Sequence, residues 1–157
     1  MKTILVPIDF SAIAGLVVAA GATLASAQNA RLILLHVRPP SVVTDSELGT
    51  RMSTEYAAAV TAETVRRLSG LEDELRAQGV TVETRHLAGL PGRCILDLAR
   101  TLGVDYIVLG SHGHSALYEL VVGSTTSRVI KYAPCPVVVV PQAGKPAAEL
   151  SAQSAHD

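Results

Sequence analysis

Short apolar segments alternate with helical ones along most of this chain, and this alternation restricts the fold more than any other feature of the sequence. The apolar segments are rich in Val, Ile and Leu, which is typical of β-strands. The segments between them repeat apolar residues at helical spacing. The predicted strands are Thr3 to Ile8, Arg31 to Val37, Val80 to Leu87, Tyr106 to Leu109 and the run of valines between Pro136 and Pro141.

Four helices are predicted between these strands. The first follows Ser11, a residue that favours the N-cap position, and the third begins at Pro91 and ends at Gly103. The polar, patternless residues 41–51 predict a surface loop before the second helix. The predicted inner faces are Ile13, Leu16, Val17, Ala20 and Leu24 in the first helix and Val60, Thr64, Leu68, Leu71 and Leu75 in the second, and the fourth helix is predicted over Ser124 to Lys131.

The resulting order, β-α-β-α-β-α-β-α-β, predicts an α/β fold. Right-handed crossovers connect parallel strands most directly, so we expect a three-layer α/β/α sandwich around a five-stranded parallel sheet. Ligands of such folds bind at the carboxyl ends of the strands. The chemistry of this chain should therefore lie just after Ile8, Val37 and Leu109.

Composition narrows the functional classes. The chain has 157 residues, 48% of them hydrophobic and 17% charged, which is enough for one folded domain. A formal net charge of −1 and only 3% aromatic residues disfavour binding to nucleic acid or to anionic lipid. Cys94 and Cys135 form neither a CxxC pair nor a disulfide framework, so a reducing compartment such as the cytoplasm is expected.

The two ends of the chain need separate interpretation. The apolar stretch up to Ala27 is similar to a secretory signal, but Pro7 and Asp9 interrupt it, which favours a strand followed by a helix. The uncharged residues 10–30 are too rich in small and polar side chains to predict a membrane-spanning helix. We expect one domain over residues 1–142 and a disordered tail over residues 143–157, because that tail is rich in Ala, Ser and Pro and has no periodicity.

A glycine-rich segment follows the fourth predicted strand. It reads Gly110-Ser-His-Gly113, then nine residues, then Gly123-Ser-Thr-Thr at the start of a helix. Glycines permit close approach of the backbone to a ligand, and a helix N-terminus attracts phosphate. The segment is equally consistent with glycines that only turn the chain and cap the helix.

Asp9 is the second candidate. A carboxylate at the end of a central parallel strand is unfavourable unless it is solvated or hydrogen-bonded, so Asp9 indicates the ligand crevice. The histidines have simpler interpretations: His36 as a hydrogen-bonded residue at the rim of the sheet and His86 on the polar face of a half-exposed strand.

The spacing G-x₂-G-x₉-G-[ST] occurs here together with ILVPIDFS, LLHV and PCPVVVVP, in that order along the chain. In this combination the sequence resembles the universal stress protein family, and specifically its ATP-binding branch, over residues 2–141. The resemblance implies a sheet of strand order 3-2-1-4-5, similar to that of the adenine-nucleotide alpha-hydrolases. It also implies a ligand, an adenine nucleotide such as ATP, ADP, AMP or cAMP, with Mg²⁺ held by the phosphates.

The same resemblance assigns the binding residues in three groups. Those expected around the nucleoside are Pro7, Ile8, Asp9 and Val37. Leu109 and Gly110 are expected beside the ribose. Those expected along the phosphates are His112, Gly113, Gly123, Ser124, Thr125 and Thr126.

A homodimer is expected through the last strand, as in the family. Four valines between two prolines form a short apolar edge strand, and a partner strand would cover it. The alternative is an edge that loops of the same subunit shield. The predicted dimer residues are Val137, Val138, Val139 and Val140.

No catalytic or metal-ligating set can be assigned. The sequence lacks a P-loop, a dinucleotide fingerprint and a nucleophile elbow. His112 and His114 lie two residues apart, but no further ligand stands at suitable spacing, so no protein-held metal is predicted. We therefore expect a cytoplasmic, nucleotide-binding stress-response module. The alternatives are a slow ATPase or autophosphorylating enzyme, a cAMP-binding module, and a dimerisation module without nucleotide.

Overall fold

The structure is a computed structural model that describes residues 1–40, 47–111 and 122–142, the side chains of residues 47–53 excepted. These residues form five strands and four helices in the predicted alternation. The strands are β1 (Thr3–Ile8), β2 (Arg31–Arg38), β3 (Val82–Ala88), β4 (Tyr106–Gly110) and β5 (Val137–Val140). The helices are α1 (Ala14–Gln28), α2 (Glu47–Ala77), α3 (Pro91–Leu102) and α4 (Ser124–Tyr132).

The strands form one parallel sheet of order β3-β2-β1-β4-β5, which confirms the predicted architecture. Helices α1 and α2 pack on one face of the sheet, and α3 and α4 on the other. Pro7 of β1 is in register with Leu35 of β2, so the two strands end at the same edge. None of the helices within the described ranges is long and apolar enough to cross a membrane.

The start of α1 differs from the prediction. Ser11 is not its N-cap: that position is taken by Ile13, and no side chain caps the helix. Instead, the carbonyl of Ser11 accepts a 3.0 Å hydrogen bond from the N–H of Ala14 in a turn that precedes the helix.

The buried face of α1 also differs from the predicted stripe. Leu16 is 54% exposed, whereas Gly21 lies against the sheet. Because α1 is apolar on all sides, its sequence periodicity does not set its orientation. Close packing does: a Cβ built on Gly21 would lie 2.6 Å from Cγ2 of Val6.

The second helix begins earlier than predicted. Residues 47–51 were expected in a loop, but α2 begins at Glu47. Glu, Leu, Arg and Met are strong helix formers, which favours this earlier start. Residues 41–46 of the expected loop and the expected tail, residues 143–157, lie outside the described residues.

The ends of α3 agree with the sequence. Pro91 is its first residue, and Gly103 ends it in the left-handed conformation with φ of 56°. A short connection after Gly103 leads into β4. The carboxyl end of β4 lies beside that of β1 in the sheet.

Candidate functional site

A cleft of about 560 Å³ lies at the carboxyl edge of the sheet. The chain leaves β1 toward β2 on one side and leaves β4 toward β5 on the other, and this divergence opens a crevice between the strand ends. Its volume lies within the range of small-molecule sites, about 300–1,000 Å³.

The cleft brings together every predicted binding residue that the structure describes. His112 and Gly113, like His114, lie outside the described residues, so their assignment stays a prediction. The predicted residues that line the cleft are Pro7, Ile8, Asp9, Val37, Leu109, Gly110, Gly123, Ser124, Thr125 and Thr126.

One end of the cleft is the N-terminus of α4. Gly123 occupies the N-cap position, and no side chain of the described residues caps this end through a hydrogen bond. The first N–H groups of an α-helix lack intrahelical partners and carry a partial positive charge. Ser124 and Thr125 add hydroxyl groups to the same wall of the cleft. This end is therefore suited to an anionic group such as phosphate.

Hydrogen bonds fix α4 relative to β4. The Thr126 hydroxyl donates to the carbonyl of Gly110 at 2.7 Å, and the N–H of Gly123 donates to the carbonyl of Ser111 at 2.9 Å. The N–H of Ser111 in turn donates to the carbonyl of Val140 at 2.9 Å. The strand ends and the helix N-terminus thus form one connected frame.

Asp9 lines the cleft and also shapes the backbone. Its Oδ1 accepts a 3.0 Å hydrogen bond from the N–H of Ser11, which is an Asx turn. Its side chain is exposed to solvent, so the carboxylate is hydrated as well as hydrogen-bonded. The sequence argument placed Asp9 at the crevice, and the turn adds a structural role that this argument missed.

Sequence reasoning also missed a row of side chains on the α1–α2 face of the sheet. The guanidinium of Arg67 lies over the ring of Phe10, 4.0 Å from its centroid. The Phe10 and His36 rings are 5.2 Å apart, and those of His36 and His86 are 5.3 Å apart. Phe10, His36 and Arg67 all line the cleft, although they come from three separate elements of sequence.

Each histidine in this row has one buried ring nitrogen that no described residue bonds, whereas the sequence predicts a hydrogen-bonded His36. Nδ1 of His36 and Nε2 of His86 are buried without a hydrogen-bond partner among the described residues. Burial lowers the pKa of His36, and the positive charges of His86 and Arg67 lower it further, while Asp9 partly opposes them. Burial and then Arg38 lower the pKa of His86.

A protein-held metal has no support in the part of the chain that the structure describes. No group of three or more His, Cys, Asp or Glu side chains there is arranged to hold an ion. Cys94 and Cys135 are both free thiols, and burial raises the pKa of Cys135, as does the nearby charge of Asp105.

The fold and the cleft together define a doubly wound α/β protein with a crevice at its topological switch point. The chain belongs to the universal stress protein family, whose model matches residues 1–141.

Individual relatives agree with this assignment. The chain is 34% identical to universal stress protein YxiE of Bacillus subtilis over 142 residues, which covers 87% of this chain and 96% of YxiE. The structure is similar to that of universal stress protein UspA from Lactobacillus plantarum, with a TM-score of 0.79 and 28% identity over 88% of this chain and 97% of that one. It is also similar to the structure of MJ0577, a universal stress protein of Methanocaldococcus jannaschii, with a TM-score of 0.80 and 30% identity over 92% and 98% of the two chains.

Proposed function

We propose that this universal stress protein binds an adenine nucleotide, ATP in particular, in the cleft and works as a nucleotide-dependent regulatory module of the stress response. The observation that carries the proposal is the N-terminus of α4, which no described side chain caps and whose first residues, Ser124 and Thr125, line the cleft. Phosphates would accept hydrogen bonds from these N–H and hydroxyl groups. Mg²⁺ would be held by the phosphates of the nucleotide.

The opposite wall suits a nucleoside. Pro7, Val37 and Leu109 give it an apolar surface, and the strand ends offer backbone polar groups for the base. Two solved proteins of this fold, one a universal stress protein and one a family member from Arabidopsis thaliana, are described as bound to cAMP and to AMP. Both are less than 25% identical to this chain, so they support the ligand class by shared fold alone.

A regulatory role follows from linkage. A nucleotide that binds only one conformation of the cleft stabilises that conformation by RT ln(1 + [L]/Kd), and a partner that contacts the same conformation senses the nucleotide concentration. The free cysteines support a reducing compartment, and we place the protein in the cytoplasm, which cell fractionation would test.

The test of the ligand is mass spectrometry of small molecules released from freshly purified protein, followed by binding measurements with ATP, ADP, AMP and cAMP, each with and without Mg²⁺. Co-purified ATP or ATP-selective binding supports the proposal. If the protein binds cAMP selectively, the ligand is cAMP rather than ATP. If it steadily releases ADP or AMP from ATP, it hydrolyses the nucleotide rather than only binding it. Absence of binding at millimolar nucleotide refutes the nucleotide site.

We further propose a homodimer through β5. Val137–Val140 forms an edge of the described sheet, paired with β4, and Val138 is 39% exposed. An exposed apolar edge strand is a template for pairing with another chain. In analytical ultracentrifugation, Val138→Lys should shift a dimer to the monomer, because a charged edge opposes pairing. A wild-type monomer at the same concentrations would refute this interface.

A further inference from the structure

The cleft extends beyond the predicted binding residues onto the other face of the sheet. Val37, Leu109 and Ile95 belong to the core between the sheet and α3–α4, whereas Ile13 and Val17 belong to the core between the sheet and α1–α2. All five line the same cleft. The cleft therefore has two halves, and none of the phosphate-binding candidates that the structure describes, Gly123, Ser124, Thr125 and Thr126, belongs to the half on the side of α1 and α2, here called the α1–α2 half.

The α1–α2 half is deep and mostly apolar. Val17, one turn into α1, is 2% exposed, and Thr64 on α2 is 7% exposed, yet both line the cleft. Ile13 and Val60 complete its apolar wall. A surface of this kind accepts a flat apolar group rather than a hydrated phosphate.

The rim of this half carries polar side chains for which the described residues supply no partner. Nε of Arg38 is buried and has no hydrogen-bond partner among the described residues, and Arg67 forms no ion pair with them. Nδ1 of His36, which donates or accepts according to the tautomer, is also buried without a partner among the described residues. Arginine only donates, so a matching group must present acceptor atoms on its edge.

Backbone strain marks the same place. Phe10 has φ of 59°, which is uncommon for a residue other than glycine. Its ring contacts both Arg67 and His36, and these contacts hold it in place. Strained residues of this kind cluster at ligand sites, where surrounding contacts maintain them.

A flat apolar group with acceptor atoms along its edge describes a nucleobase. We propose that the α1–α2 half is a second base subsite, so that the cleft prefers dinucleotides, two nucleosides joined by a phosphate chain, over mononucleotides. This inference rests on the proposed function, because the first nucleoside and the phosphates occupy the other half. Stacking against aromatic and guanidinium groups is how proteins hold bases without reading their identity.

The probe is diadenosine tetraphosphate, compared with ATP by titration calorimetry on the full chain. The wild type should bind the dinucleotide about tenfold more tightly than ATP, or about 1.4 kcal/mol, within the range that one added stacked base supplies. The stoichiometry should be one dinucleotide per chain. Arg67→Gln should lower the affinity for the dinucleotide more than the affinity for ATP, and so remove most of this preference.

The matched control is Arg66→Gln. Arg66 precedes Arg67 on α2 and carries the same charge, but it pairs with Glu63 and does not line the cleft. This variant should keep the preference for the dinucleotide. Equal loss in both variants would show a general effect of charge and overturn the subsite.

Other outcomes overturn the inference in distinguishable ways. Equal affinity of the wild type for both ligands shows that no second base is held. An equal loss of both affinities in Arg67→Gln shows that a mononucleotide already fills this half. One dinucleotide per two chains places the second nucleoside on another subunit. If neither ligand binds, the proposed function itself fails.

Discussion

The hydroxyl of Thr126 donates a 2.7 Å hydrogen bond to the carbonyl oxygen of Gly110, and this bond ties the first turn of α4 to the end of β4. Thr126 is 5% exposed, so water does not readily replace the interaction. Gly110 is the first residue of the glycine-rich segment, and Thr126 is its last. Their contact fixes the distance between the strand end and the helix N-terminus, the two parts that form the anion-accepting end of the cleft.

Thr126→Val should lower the free energy of unfolding by about 1–2 kcal/mol, because it leaves the Gly110 carbonyl without its partner in a buried place. Chemical denaturation measures the difference. Thr126→Ser keeps the hydroxyl and should lower the free energy of unfolding by clearly less. Equal losses in the two variants would show that the hydrogen bond of the hydroxyl contributes no more to stability than the packing of the methyl group.

Gly21→Ala should destabilise the protein by about 1–3 kcal/mol, because the new methyl group overpacks the core. Its Cβ would lie 2.6 Å from Val6 and 3.2 Å from Leu32. Gly15 offers a matched control in the same helix, since it is exposed and a Cβ there meets no atom within 4 Å.

Gly15→Ala should raise the free energy of unfolding by about 0.5–1 kcal/mol, because alanine has the higher helix propensity. Thermal or urea unfolding of the two variants should show a loss of stability for Gly21→Ala and a gain for Gly15→Ala. If Gly21→Ala were as stable as the wild type, the close approach of α1 to the sheet would be wrong.

His36 makes stability depend on pH. Its pKa in the folded protein is below the ordinary value of about 6.5, because burial and then His86 disfavour its charged form. The unfolded chain then binds more protons at this position, so the contribution of His36 is constant above about pH 6.5 and is lost as the pH falls toward the folded pKa.

The measurement is the unfolding free energy of the wild type minus that of His36→Gln, from about pH 7.5 down to about pH 5.5. This difference should shrink on acidification, since only the wild type has the buried imidazole to protonate. A difference that stays constant, or grows, over this interval would show that His36 titrates normally.

The fold was predictable from the sequence because its strongest signals are local. The continuous apolar runs, Pro91 at the start of α3 and Gly103 at its end predict elements that the structure shows at nearly the same positions. The strand order, by contrast, came from the resemblance to the family. The parallel alternation alone placed the crevice at the carboxyl edge of the sheet.

The misses have physical reasons. Helix α1 is apolar on all sides, so its sequence does not predict which face is buried. The apolar spacing places Leu16 on the buried face, whereas close packing places Gly21 there. The start of α2 at Glu47 reflects helix propensity, because the sequence there has no apolar periodicity from which a helix could be predicted.

The row of Arg67, Phe10 and His36 carries no signal in the linear sequence. Its members are common residue types on three elements that only the folded chain brings together. The left-handed backbone at Phe10 is equally invisible from sequence, since Gly and Asn are the residues that usually indicate it.

The central claim is that the N-terminus of α4 binds the phosphates of an adenine nucleotide. Calorimetric titration of ATP with Mg²⁺ into the wild type, Ser124→Glu and Ser127→Glu tests it most directly. Both serines are exposed in the first turn or so of α4, but only Ser124 lines the cleft. Glutamate near a helix N-terminus is compatible with folding, because it complements the helix dipole.

The account predicts that the wild type binds ATP, that Ser124→Glu weakens binding by about tenfold or more, and that Ser127→Glu stays within about threefold of the wild type. Wild-type protein that does not bind ATP at millimolar concentration would contradict it. So would a Ser124→Glu variant that binds as tightly as the wild type.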